Sequence, residues 1–265
     1  MDYLPLYMGI GVLAGVLAGL LGIGGGAITV PLLLWAFAVQ GISDAVATHM
    51  ALASSLGAMI VTSASSAWAH NRRGAVLWPV LLFLGLGVVV GSVVGVLTAV
   101  ELSGASLQIA FGFFLAYVAL QMMVGFAPSA ARKLPGKTGL LGAGGVIGCV
   151  SMYFGIGGGS LTVPFLSYCG VVPARAVGTS AALGLPIALW GTALYIASGW
   201  NVQGLPDHAL GFVHLPAVLG IVATSAFCAP LGAALAHRLK ASQLRSVFGI
   251  VLLGIAAELL WSNLG

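Results

Sequence analysis

Apolar residues run in long blocks along the chain, and the charged residues fall between the blocks. Stretches without Asp, Glu, Lys or Arg cover 41 residues between Asp2 and Asp44, 27 between Asp44 and Arg72, 27 between Arg73 and Glu101 and 30 between Glu101 and Arg132. They continue with 37 residues between Lys137 and Arg175, 31 between Arg175 and Asp207 and 30 between Asp207 and Arg238. A last block follows Arg245, broken by Glu258 near its end. A helix needs about 20 apolar residues to cross a bilayer, and a charge at its centre costs about 2.5–3.5 kcal/mol. The pattern therefore predicts ordinary membrane spans over about 43–67, 75–98, 104–125, 175–198, 208–236 and 243–263. Two further segments, about 4–40 and 138–172, carry glycine clusters midway, and each is expected either to cross twice, as two short helices joined by a turn, or to re-enter.

Composition agrees with this reading. Only 5% of the 265 residues are charged and 60% are hydrophobic, against about 25% charged in a soluble domain. There is too little charge to cover a soluble surface, so a soluble enzyme is excluded. The net charge of +4 comes from three basic joints (Arg72–Arg73, Arg132–Lys137, Arg238–Arg245) plus Arg175. That is the distribution of cytoplasmic loops, not of a nucleic-acid surface. Met1-Asp2-Tyr3 lacks the basic start of a signal peptide, so the first span is expected to stay in the mature protein. Cys149, Cys169 and Cys228 have no metal or redox spacing. The expected class is an all-α polytopic membrane protein with about 8–10 transmembrane segments, no catalytic residues, no metal and no cofactor.

The chain repeats itself. Gly22-Ile23-Gly24-Gly25-Gly26-Ala27-Ile28-Thr29-Val30-Pro31 recurs 133 residues later as Gly155-Ile156-Gly157-Gly158-Gly159-Ser160-Leu161-Thr162-Val163-Pro164. Ala45-Val46-Ala47-Thr48 is answered by Ala176-Val177-Gly178-Thr179 at an offset of 131. From Pro79 and Pro216 onward the offset is 137, pairing Phe111-Gly112 with Phe248-Gly249. Residues 1–125 and 139–265 are thus expected to be two transmembrane repeats, joined by a loop over 126–138 that Pro128, Pro135 and Gly136 mark. Equivalent joints carry opposite charge. The joint before Pro79 is basic and the next holds Glu101; the joint before Pro216 holds Asp207 and the next is basic. By the positive-inside rule the repeats are expected to be inverted, the plan of many secondary transporters. Inversion needs an odd number of crossings per repeat. Two crossings by each glycine segment give five per repeat and ten in all.

The glycine clusters suggest chemistry as well as shape. Each glycine costs roughly 0.8–1 kcal/mol in a helix relative to Ala, and Pro31 and Pro164 hinder the hydrogen bonds that follow. A helix broken inside a bilayer must bury its freed amides or aim them into a wet cavity. Amides at a helix start attract anions, so two facing elbows would line an anion site near mid-membrane. The plainer use of glycine, close helix packing, suits Gly9, Gly11, Gly15, Gly19, Gly91 and Gly95.

The two Gly-Ile-Gly-Gly-Gly-x-x-Thr-Val-Pro elements, each followed by an Ala-Val-(Ala/Gly)-Thr-(His/Ser) helix start, resemble the TauE/SafE family of sulfite and organosulfonate exporters. The resemblance covers essentially the whole chain. It implies a multi-pass carrier of the bacterial inner membrane for a small sulfur-containing anion such as sulfite, a sulfonate or sulfoacetate. It also implies proton coupling and a homodimer. Alternating access would move one repeat against the other. An anion channel, or a carrier for a different small organic anion, would use the same elbows. His49 stands where the second repeat has Ser180, and Asp44 where it has Arg175. A gate with one titratable side is therefore the alternative to a symmetric anion site.

The expected substrate contacts are the amides around Gly24, Gly25, Gly26, Gly157, Gly158 and Gly159, the hydroxyls of Thr29, Thr48, Thr162, Thr179 and Ser180, and Arg175. Guanidinium matches an oxyanion, yet Arg175 equally marks a cytoplasmic helix start. The hydroxyls can donate to an anion or bond back to their own helix. His49, six residues into a span, is read either as a group handling substrate or protons or as a neutral ring bonded to a carbonyl. Ser54, Ser55, Thr62, Ser63, Ser65 and Ser66 predict a helix facing a cavity or its neighbours. Glu101, Asp207, His208, His214 and His237 are expected in solvent at the joints. Gly136-Lys137-Thr138 lacks the first glycine of a phosphate loop, and Gly22-x-Gly24-x-x-Ala27 lacks a strand–helix unit around it.

Overall fold

Each apolar block becomes a helix that ends where glycine, proline or a charged joint interrupts it. The computed structural model describes residues 3–21, 25–124, 133–236 and 241–264. Among these the first half forms α1 (Leu4–Leu21), α2 (Gly26–Val39), α3 (Asp44–Arg72), α4 (Trp78–Ala99) and α5 (Gly104–Val124). The second half forms α6 (Lys137–Phe154), α7 (Gly159–Tyr168), α8 (Pro173–Gly199), α9 (Leu215–Ala236) and α10 (Ala241–Leu264). Pro79 and Pro173 sit in the first turns of α4 and α8, where a missing N–H costs nothing. Among the described residues, five helices are long and apolar enough to cross a membrane: α3, α4, α5, α8 and the Ser246–Leu264 part of α10. At 14 and 10 residues, α2 and α7 reach only about 21 and 15 Å, short of a core about 30 Å thick. Each glycine segment is broken as expected: α1 ends at Leu21 and α2 starts at Gly26, and α6 ends at Phe154 and α7 starts at Gly159.

Hydrogen bonds show which helix ends meet. Tyr7 Oη donates to Gln40 Oε1 at 2.9 Å, so α2 returns toward the end where α1 begins. His49 near the start of α3 meets the Ala99 carbonyl at the end of α4, and Asn263 near the end of α10 reaches Gln108 near the start of α5. The loops carrying Glu101 and Asp207 adjoin this acidic end, which also receives Asp44. At the other end Ala75 packs on Gly178 in the first turns of α8, and the Lys137 ammonium lies 5.4 Å from the Phe83 ring centre. Arg72, Arg73, Lys137 and Arg175 belong to this basic end.

The most extensive helix pairings are α1 with α9, α4 with α6, α3 with α8 and α5 with α10. All four join one half of the chain to the other. Glycine permits the closest of them. Gly91 lies on the Gly145 backbone and Gly95 on Cys149; Gly144 and Gly148 return the contact to Leu84 and Val88. Gly11 and Gly15 do the same against Ile221, Thr224 and Ser225. Gly9, expected in the same role, has open space around it, and the surroundings of Gly19 lie outside the described residues. A motion of one half as a body against the other would have to act across all four of these interfaces.

The span expected over 208–236 is also shorter than its apolar run. Its first residues form a hairpin, β1 (Ala209–Leu210) antiparallel to β2 (Val213–His214), and α9 starts only at Leu215. Gly211 takes φ +53 with its backbone against Ile196, a conformation that stops a helix and that glycine adopts freely. Gly211, Phe212, Val213 and His214 are buried. His214, expected in solvent, is 6% exposed and packed between Tyr7 and Phe37. The polar stretch of α3 is mostly internal: Ser54, Ser55 and Ser63 are buried, Thr62 and Ser66 half-buried, and Ser65 exposed.

Candidate functional site

The two glycine elbows meet inside the bundle. A Cβ on Gly26, at the start of α2, would lie 2.7 Å from the Gly155 carbonyl oxygen and 3.0 Å from Ile156 Cα. The backbone of the first elbow thus rests on that of the second. Gly155 closes α6 at φ +59 and Gly158 opens α7 at φ +69, a left-handed region closed to most side chains. Ser55 of α3 donates its hydroxyl to the Gly155 carbonyl at 2.9 Å, and Leu52 and Val30 back the same glycine. Met59 covers Gly157, while Ile147 and Ile187 flank Gly158. Ser63 and the Gly157 carbonyl both lie beside Gly184 of α8.

The predicted contacts divide into three groups. Gly26, Gly157, Gly158 and Thr162 are buried at the elbows, with Gly159 half-buried beside them. Gly25 caps α2, and Gly24 lies outside the described residues. Thr29 and Thr162 are equivalent in sequence but differ here. The Thr29 hydroxyl bonds back to the Gly25 carbonyl at 2.9 Å. The Thr162 hydroxyl is fully buried with no partner. Leaving a buried hydroxyl unpaired costs about 1–3 kcal/mol, so Thr162 Oγ1 marks a place where a polar ligand would be stabilised. Ile28 and Thr29 donate their amides to the Gly25 carbonyl, and Leu161 and Thr162 donate theirs to the Gly158 carbonyl, so the amides of Gly26, Ala27, Gly159 and Ser160 are the ones without an acceptor in their own helices; both helix starts carry partial positive charge.

The other residues lie elsewhere. Thr48 accepts from Gln108 Nε2 at 2.8 Å, and Gln108 Oε1 accepts from Asn263 at 3.0 Å, so a polar chain joins α3, α5 and α10. His49 Nε2 is 3.1 Å from the Ala99 carbonyl, its ring centre is 5.3 Å from that of Phe212, and its Nδ1 is buried without a partner. Six residues of α3 separate it from Ser55, roughly 9 Å along the axis. Thr179 accepts the Leu77 backbone N–H at 3.0 Å, and Ser180 is buried beside it. Arg175 is exposed in the first turn of α8, nine residues and roughly 13 Å before Gly184. Among the described residues no three His, Cys, Asp or Glu side chains gather to hold a metal.

The pattern of the family described as "Sulfite exporter TauE/SafE" matches residues 7–259. The chain belongs to the TauE/SafE family. Its relatives include a "probable membrane transporter protein" of Haemophilus influenzae, 32% identical across 97% of this chain and 98% of its own length. A protein of the same description in Xylella fastidiosa is 31% identical across 97% and 94%, and one in Methanocaldococcus jannaschii is 28% identical across 94% and 92%. No solved structure matches the chain. As a TauE/SafE member it is a multi-pass membrane transporter of the inner membrane and not an enzyme.

Within this TauE/SafE chain, Met59, Gly184, Gln108 and Asn263 escaped the sequence reading. Gln108 and Asn263 left a usable signal, as uncharged amides inside apolar helices whose positions α5 and α10 bring together. Met59 left none, because a methionine in a buried helix reads as packing. Its flexible end nonetheless occupies the space a Gly157 side chain would need. Gly157→Ala should therefore lose a measurable fraction of melting temperature, and Met59→Ala in the same chain should restore part of it. Simple addition of the two single-variant losses would show that they do not share this space.

Proposed function

We propose that this TauE/SafE protein is a secondary carrier that exports a small sulfur-containing anion, of the sulfite, sulfonate or sulfoacetate type, by alternating access. The carrying observation is the pair of elbows in backbone contact beside the buried, unpartnered Thr162 hydroxyl. Each helix start stabilises an anion by about 0.3–1 kcal/mol, or up to about 2 when partly buried. A few such contacts give the modest affinity a carrier needs to release its cargo. The family's description as sulfite exporters supports this substrate class.

The same reading treats residues 1–125 and 139–265 as inverted repeats about a membrane-plane axis. Exchanging the halves turns the α1–α9 pairing into α6–α4 and leaves α3–α8 and α5–α10 unchanged, which supports it. Proton coupling falls to His49, whose Nδ1 is buried and unpaired. Arg175, exposed at the basic end, suits a first encounter with the anion better than its deep site. The functional unit is proposed to be a homodimer.

Counterflow in proteoliposomes tests the proposal, with sulfite, thiosulfate, sulfoacetate, taurine, sulfate and lactate as substrates. Selective exchange of one sulfur anion is expected. Thr162→Val should weaken its half-saturation roughly tenfold, whereas Thr29→Val, which removes only a bond to its own helix, should change it little. Conductance without counterflow would establish an anion channel instead. His49→Ala should remove the pH dependence of exchange, and full pH dependence in that variant would assign proton coupling elsewhere.

A further inference from the structure

Two hydrogen bonds tie the segments leading into α4 and α9 to the central helices. Leu77, the N-cap of α4, donates its backbone N–H to Thr179 Oγ1 of α8 at 3.0 Å. His214, directly before α9, donates its backbone N–H to Ser54 Oγ of α3 at 2.9 Å. Leu77 and His214 are 137 residues apart, the offset that relates Pro79 to Pro216, so the two donors are equivalent positions. Each acceptor belongs to the opposite half of the chain. The first bond lies at the basic end of the bundle and the second at the acidic end.

Both segments are seated on glycine. Gly178 lies against Ala75, Gly199 against Phe212, and Gly211 against Ile196, all at approaches too close for a side chain. The two seats differ in depth. Thr179 is the seventh residue of α8 and Ser54 the eleventh of α3, a difference of about 6 Å along the axis. The hairpin thus reaches further into the bundle than the Ala75–Leu77 segment. Its Phe212 ring packs on His49 and Tyr195 at 5.3 and 6.3 Å, and His214 sits 5.5 Å from Tyr7 and 5.6 Å from Phe37. Ser54 also adjoins Ser55, whose hydroxyl holds the Gly155 carbonyl of the second elbow.

We propose that Ala75–Leu77 and Gly211–His214 are the two gates of the transport cycle, each held shut by one hydroxyl: Thr179 at the basic end and Ser54 at the acidic end. The acidic-end gate is coupled to the elbow through the adjacent Ser54 and Ser55. The proposal rests on the alternating-access reading, which requires one barrier at each end. A neutral hydrogen bond shifts an equilibrium by only about tenfold, so either latch can hold a gate and still release it in every cycle. The four main helix pairings can then persist while the short segments move.

Amide hydrogen exchange of the purified protein in lipid nanodiscs tests this directly. Ser54→Ala should raise exchange at 211–215 about tenfold, raise it at 155–158, and leave 75–78 unchanged. Thr179→Val should raise it at 75–78 and leave 211–215 unchanged, while Thr179→Ser, which keeps the hydroxyl, should match the native protein. Unchanged exchange at both gates, or both gates loosening together in either variant, would overturn the latches. An unchanged 155–158 in Ser54→Ala would overturn the coupling. Counterflow of the same anion panel on the native protein separates the two readings. Transport with unresponsive gates removes the latches alone, and responsive gates without transport of any tested anion remove the carrier reading.

Discussion

Gly91→Leu is expected to leave no folded protein to recover, whereas Gly85→Leu, six residues earlier on the same helix, is expected to be silent. A side chain at Gly91 would run into the Gly145 backbone of α6, while one at Gly85 meets nothing within 4 Å. In a bilayer helix association depends on such close packing, because lipid is as apolar as leucine. A clash with a flexible side chain can be absorbed by a rotamer change. A clash with backbone requires the whole helix to move away. Overpacking typically costs 1–3 kcal/mol, and at this site about 3 kcal/mol or more is expected because Gly87, Gly95, Gly144 and Gly148 would lose their contacts together. Fluorescence-detected size exclusion after heating measures both variants, and a monodisperse, heat-stable Gly91→Leu protein would contradict the packing described for α4 and α6.

That pair of glycines also shows what a sequence can and cannot tell. Both stand in one uninterrupted apolar run, and only the partner helix distinguishes them. The helices themselves were legible, because charge placement and hydrophobic length are local properties of the chain. So were the breaks at Gly25 and Gly155–Gly158, where glycine and proline act on their own backbone. The hairpin at Ala209–His214 was not. Its residues are as apolar as a span, and what keeps them from helix is the seat of Gly211 on Ile196 and the Ser54 hydroxyl, 160 positions away from His214. The site was half legible for the same reason. The repeated motif named the glycines and Thr162, but the difference between Thr162 and Thr29 depends on which hydroxyl finds a carbonyl. Ser55 reads in the sequence only as part of a polar helix face, and Met59 not at all; both take their place at the second elbow through the packing of α3.

Gly158→Val should give a protein that inserts and folds but has lost at least nine-tenths of its transport. An ordinary residue held at the left-handed φ of Gly158 costs roughly 1–2 kcal/mol. Any Cβ there would also lie 2.6 Å from Ile187 Cδ1 and 3.3 Å from Ile147 Cγ2, and the two methyl groups of valine crowd the same space further. The strain falls on the residue that opens α7, so it would turn the first-turn amides and Thr162 away from their present positions. The global fold is spared because the elbow contributes little to the four main helix pairings. Gly158→Asn, which tolerates this backbone region better, should retain an intermediate rate. Counterflow beside a melting curve checks the series. Native transport by Gly158→Val would mean that the elbow is not on the transport path.

The interlocked pairing of the halves also governs how the chain is made. Synthesis delivers α1 into the membrane long before α9, the helix that covers its glycine face. From the last residue of α1 to the last of α9 is a step of 215 residues, which at 5–20 residues per second is roughly 10–40 s of translation. When α5 is complete the first half is uncovered, with α6, α8, α9 and α10 still unmade, and of its helices α1 has the longest wait. The two halves, encoded as separate polypeptides and produced together, should find each other in the membrane, while either one made alone should be cleared by the cell's proteases.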